Sequence, residues 1–256
     1  DDTVRATWLQ TRSRVLTTLG RVDEAIADLA IAYSLTPDNP SLANEFAWQA
    51  ALAGLRSEEA LAASQSAITA VRAEIWRPME ARLWPGGFEE WSKAQLRKEA
   101  SYIDTRAWLL CKMGRYEEAA KSQREALRLL PGAELHLHMG LIYSKLDRPH
   151  DAVGHLSRGL HGASGGDDPI EKEGREVFER LFPTAGLWHP EGPEAYLTLV
   201  EEQRESKEEG DKKAEATERS PEQRKKFATG TPFPDLSYRV GEVEQSLSDL
   251  GGLLLV

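Results

Sequence analysis

The segment KMGRYEEAAKSQREALRLLPG, Lys112 to Gly132, carries its smallest residues at fixed offsets: Gly114, Ala119, Ala126 and then Pro131. The same offsets hold 94 residues earlier, at Gly20, Ala25, Ala32 and Pro37, with Val22 in the place of Tyr116. A third copy gives Gly54, Ala60 and Ala67 with one extra turn residue, and a fourth gives Gly140, Tyr143, Ala152, Leu156 and Gly159. This recurrence constrains the fold more than any other feature of the chain. Two helices approach closely only where their facing side chains are small, and alanines seven apart share one contact stripe. Glycine accepts the left-handed conformation that ends a helix cheaply, and proline cannot continue one. The pattern therefore predicts antiparallel helix pairs repeated along the chain.

The opening alanine of the second helix recurs at 25, 60, 119 and 152, in steps of 35, 59 and 33. A unit of ~34 residues built from two antiparallel helices is similar to the tetratricopeptide repeat (TPR) family, and the middle step then holds one repeat plus about 25 inserted residues. The family's small residue in the first helix is matched by Ala47, Ala107 and Gly140, while Ser13 departs from it. The resemblance covers Ala6 to Gly162. It implies an all-α solenoid of about four helix pairs over residues 1–163; the alternative is an unrelated Ala-rich helical bundle.

In this family the first helices of successive repeats line a concave groove that takes extended peptides or partner helices. Carried onto this sequence, the groove positions are Gln10, Arg14 and Thr17, then Asn44 and Trp48, then Asp104 and Trp108, then Leu141 and Lys145. Trp48 and Trp108 recur at one offset, in FAW and RAW. Tryptophan joins a large rigid surface to one N–H donor, so it suits a binding anchor; packing between adjacent repeats is the competing role. The resemblance implies a protein or peptide partner. An uncapped solenoid end can also stack on a copy of itself, which leaves self-association open.

The insertion, Val71 to Lys98, carries tryptophans at 76, 84 and 91, with WPGG interrupting the helix between the last two. These rings either cover the seam that the insertion creates or face a partner. Residues 164–229 read as a connector: HGASGGDDP as a loop, IEKEGREVFERLF as an amphipathic helix, then a helix fading into a mixed-charge stretch. Its glycines lack the strand context and the Lys and Ser/Thr of a phosphate loop. In residues 230–256, Phe233, Pro234, Asp235, Leu236, Gly241, Leu247, Ser248, Asp249, Leu250 and Gly252 resemble the opening of TlpA-like thioredoxin-fold thiol–disulfide oxidoreductases, without the family's Lys. That resemblance implies a short β-hairpin, a Cys-x-x-Cys site beyond Val256, and a bacterial extracytoplasmic or periplasmic compartment; an edge hairpin of the helical domain is the alternative. The chain opens on DDTVRATW and closes on GGLLLV, which reads as a segment of something longer.

A net charge of −10, with 32 basic residues interleaved among 42 acidic ones, argues against a nucleic-acid surface, which needs clustered positive charge. No apolar run approaches the ~18 residues of a membrane helix. The single cysteine, Cys111, allows no internal disulfide and reads as a buried small hydrophobe. His136 and His138 are two apart on a helix, point to nearly opposite sides and cannot chelate one metal together. The acid pairs Glu58–Glu59 and Glu117–Glu118 open second helices and complement the helix dipole. No catalytic, cofactor or metal site is expected, and the chain reads as a non-catalytic interaction scaffold. The alternative is the recruiting part of a thiol–disulfide oxidoreductase.

Overall fold

The computed structural model describes residues 1–74, 87–161, 168–185, 192–193, 195–198, 237–240 and 243–246. They fall in two units, Asp1–Glu201 and Glu202–Val256. Among its described residues the first unit is helical: α1 (Asp2–Thr18), α2 (Val22–Leu35), α3 (Pro40–Ala53), α4 (Ser57–Glu74), α5 (Gly87–Lys112), α6 (Tyr116–Leu129), α7 (Ala133–Lys145), α8 (Pro149–Leu160) and α9 (Pro169–Leu181), followed by a 3-10 turn (Phe182–Ala185). α1 pairs with α2, α3 with α4, α5 with α6 and α7 with α8, and each pair leans on the next. Among the described residues the unit is thus a series of four helix pairs.

The registered small residues lie at the seams. Ala25, Ala32, Ala60, Ala67, Ala119, Ala126 and Ala152 are buried, as are Ala47, Ala107 and Ser13 in the first helices. The fourth pair is the tightest: a Cβ added to Gly140 would stand 2.6 Å from Leu156 Cγ, and one added to Gly159 would stand 2.5 Å from the Leu137 backbone nitrogen. Around these seams pack Leu29, Phe46, Ile68, Ile103, Leu109, Met139 and Ile142. Gly20, Gly54 and Gly114 turn the chain at φ +74°, +70° and +77°; in the fourth pair Asp147 does so at φ 54°. A short polar side chain that hydrogen-bonds locally tolerates that region better than most.

The helices on either side run into the insertion. α4 runs on to Glu74, and α5 begins at Gly87, so only residues 75–86 separate the two helices. The reason is local: after WPGG no glycine or proline appears from Phe88 to Met113, so nothing stops the helix. At 26 residues α5 spans about 39 Å, against about 21 Å for the 14-residue α6, and its early turns lie on α3 and α4. Trp91 is buried, and Arg72 of α4 donates to Glu99 of α5 at 2.6 Å; Trp76 and Trp84 lie outside the described residues. α9 closes the other end of the series, burying Val177 and Phe178 against α7 and α8, with Phe182 of the 3-10 turn beside Tyr196. Val4, Trp8 and Val15 of α1, and Leu19 just after it, are exposed.

In the second unit, β1 (Ser237–Val240) and β2 (Val243–Ser246) pair antiparallel, with Ser237 opposite Ser246 and Val240 opposite Val243. Gly241, residues 230–236 and residues 247–256, which carry most of the thioredoxin-like resemblance, lie outside the described residues. A two-stranded hairpin is common to many folds and identifies none. No helix among the described residues is long and apolar enough to cross a membrane.

The seams give a matched pair of substitutions in α8. Gly159→Ala sets a methyl against the backbone of α7 and is expected to cost about 1–3 kcal/mol, read as a lower urea midpoint. Gly154→Ala, whose Cβ meets nothing within 4 Å, is expected to gain about 0.5–1 kcal/mol from helix propensity alone.

Candidate functional site

The nine groove positions lie on the first helices α1, α3, α5 and α7, at unequal depth. Gln10 and Arg14 of α1 both bond Glu45 of α3, Arg14 Nε at 3.1 Å, so they tie the first pair to the second. Thr17 is exposed and donates to the Ser13 carbonyl at 3.0 Å. Asn44 is half-buried, with its Oδ1 enclosed and unpartnered among the described residues. Lys145 is exposed, whereas Asp104, Trp108 and Leu141 are buried beneath the face.

The two recurring tryptophans meet through a residue of a third repeat. His138 of α7 stacks on Trp108 of α5 with ring centroids 4.7 Å apart and planes at 25°, and Trp48 of α3 stands 5.9 Å from the same imidazole. Trp108 is enclosed, with Lys112 Nζ 4.5 Å above its ring, while Trp48 stays half-buried. Equal offsets in the repeat thus give unequal depth, because α7 supplies a ring that covers Trp108 and only flanks Trp48.

His138 is the residue that sequence reasoning undervalued. It is 1% exposed, and its Nδ1 lies 2.8 and 2.9 Å from the two carboxylate oxygens of Asp104, 34 residues earlier on α5. Gln123 of α6 donates from Nε2 to Asp104 Oδ1 at 2.5 Å and to the Leu135 carbonyl at 3.0 Å. Burial opposes charge on the imidazole, but the charge and hydrogen bond of Asp104, with Glu134 and Asp168 further off, outweigh it and raise the His138 pKa. His136 points the other way, to His155 of α8, as two residues of helix spacing require. Beside His138 opens a cleft of about 390 Å³ walled by Trp48, Glu134, Leu137, Asp168, Ile170 and Glu171. Glu134 and Asp168 thus set negative charge near a buried imidazole, and Trp48 supplies an apolar wall.

The acids of the second helices have a partner the sequence also displays. Arg21, Arg56, Arg115 and Arg148 each pair with the acid three residues on: Glu24 at 2.6 Å, Glu59 at 3.0 Å, Glu118 at 2.7 Å and Asp151 at 2.6 Å. An Arg-x-x-acid pattern at all four turns was readable alongside the glycines. Cys111 is buried, and desolvation pushes its thiol up to about 11, so at neutral pH it stays protonated and unreactive.

No family model matches the chain, and no curated protein matches it. Similar solved structures include a thermophilic TPR protein of Thermus thermophilus, at 16% identity and a TM-score of 0.36, covering 67% of this chain and 98% of that one. The assembly chaperone of RpL4 (Acl4, residues 1–338) is 18% identical with a TM-score of 0.45, covering 83% of this chain and 86% of that one. The P58(IPK) TPR domain is 15% identical with a TM-score of 0.30, covering 72% and 57%. These are loose likenesses.

His155 gives a pH signature with a definite sign. Burial lowers its pKa from 6.5 to about 4, helped by nearby Arg158 and opposed by Asp151. A group depressed in the folded state stabilises the fold above its unfolded value and loses that contribution as protons are forced on. The thermal midpoint followed by circular dichroism is expected to fall between pH 6.5 and about 4, and to fall less steeply in His155→Gln.

Proposed function

We propose that this chain is a non-catalytic interaction scaffold that binds a protein or peptide segment on the face formed by its first helices. The observation that carries the reading is Trp48: half-buried, held from one side by His138, and forming a wall of the 390 Å³ cleft. A ring fixed on one flank and open on the other loses little side-chain freedom when a partner covers it, which is what a binding anchor requires. Of the other groove positions, Arg14, Thr17 and Lys145 are exposed and Gln10 and Asn44 half-buried, while Asp104, Trp108 and Leu141 are buried.

The non-catalytic part of the proposal rests on the thiol chemistry available. Cys111 is the one cysteine of the chain, and its pKa of about 11 leaves almost no thiolate at neutral pH. The chain is therefore expected to show no thiol–disulfide exchange with a glutathione disulfide substrate, and turnover that disappears in Cys111→Ser would overturn this.

The binding part is tested by selection from a displayed random peptide library. The native chain is expected to enrich a defined sequence class, and Trp48→Ala, with its helicity checked by circular dichroism, is expected to bind the selected peptides roughly 30-fold more weakly, the scale of a buried aromatic anchor. Thr69→Ala, an exposed change on the second helix α4 and outside the nine groove positions, serves as the unaffected comparison. Absence of any enrichment, or undiminished binding by Trp48→Ala, would reject the assignment.

A further inference from the structure

The floor of the cleft carries chemistry that peptide binding does not use. A ring nitrogen of His138 and one carboxylate oxygen each from Asp104 and Glu134 lie within 4.8 Å of one another. They come from two helices of different repeats, α5 and α7, and Glu134 and His138 share one face of α7 by their spacing of four. We propose that Asp104, Glu134 and His138 form a binding site for a divalent transition-metal cation of the Zn²⁺ class, with a coordination position open to the cleft.

Two of the three donors are already fixed in place. The imidazole is stacked on Trp108 and enclosed at 1% exposure, and Asp104 is oriented by the amide of Gln123 at 2.5 Å. A carboxylate held by an outer amide, next to an imidazole held by an aromatic face, is the kind of support that ligand sets need to keep their geometry. The third donor, Glu134, is exposed at the mouth of the cleft and makes no hydrogen bond or ion pair among the described residues, so it can close over a cation without breaking a contact. Coordination at about 2.0–2.2 Å from each donor needs that closure, and it replaces the hydrogen bond between His138 Nδ1 and Asp104 with bonds from both to the cation.

His138 is almost wholly buried, yet it forms part of the cleft wall, with its Nδ1 against Asp104. The cleft provides the approach, and Asp168 and Glu171 on its far wall add negative charge along it. One imidazole, two carboxylates and an open position form a donor set suited to a borderline cation, with water or a partner's side chain as the fourth ligand.

The test uses the full chain stripped with chelator and titrated with Zn²⁺ alone by calorimetry, with Co²⁺ in parallel for its visible absorption. Saturable binding of one cation per chain is expected, with the cobalt band changing as the site fills. Glu134→Gln, an exposed change that leaves the packing alone, is expected to weaken binding at least 10-fold, and Asp104→Asn to weaken it further. Glu171→Gln removes an acid of the same cleft that is not a donor and should leave the affinity within about twofold. No saturable binding would overturn the proposal. So would equal loss in Glu134→Gln and Glu171→Gln, which would mean diffuse attraction to acids. Because the readout is the cation itself, failure here leaves the peptide selection untouched, and the converse holds.

Discussion

Everything in the first unit depends on how closely its helices can approach. Ridges and grooves mesh at interaxial distances of about 8–10 Å only where the side chains at the crossing are small. Alanines at 25, 32, 60, 67, 119, 126 and 152, and glycines at 140 and 159, occupy those crossings and are buried or closely faced there. Larger residues beside them, such as Leu29, Ile68 and Ile103, then reach across the seam and supply apolar area that the alanines alone could not. The repeat is therefore a spacing device first and a hydrophobic device second. Repeat four shows the two in exchange: with glycine at both 140 and 159, Leu137 and Leu156 enter the seam itself.

That constraint explains why so much of the fold was legible in the sequence. Spacing of small residues is a local property, and the turn glycines and closing prolines follow from backbone sterics within a few residues. Asp147 shows that what the turn needs is a left-handed residue, a demand glycine usually meets. The extent of α5 departs from the repeat register for the opposite reason. Distance between repeats assigns residues 87–98 to the insertion, although their own composition, free of proline and of glycine after Gly87, already favours helix.

The candidate site was legible only in part. Register placed Trp48 and Trp108 at one offset, but depth is decided by what comes from the next repeat, and His138 is supplied by α7 to a pocket formed by α3 and α5. His138 and Asp104 are 34 residues apart, close to one repeat, yet no local motif joins them. Helix spacing alone shows that His136 and His138 cannot act together, and says nothing of what each meets instead. Their partners lie across the seams, at His155 and Asp104.

Polar links make one seam different from another. An alanine seam is generic: any pair in the series presents much the same surface to its neighbour. The links are not interchangeable. Glu45 holds Gln10 and Arg14 between the first and second pairs; Arg72 holds Glu99 and Glu125 between the second and third; Asp104 holds His138 and, through Gln123, fastens α5 to α6 and α7. A helix displaced by one turn, or two pairs exchanged, would keep most of the apolar contact and leave Asp104 buried without its donors, a cost of several kcal/mol for an ionised group. The same residues that carry the candidate cation site thus also distinguish the native stacking order from its near copies. This accounts for a charged cluster lying at the junction of three helices, where apolar side chains would have packed at least as well.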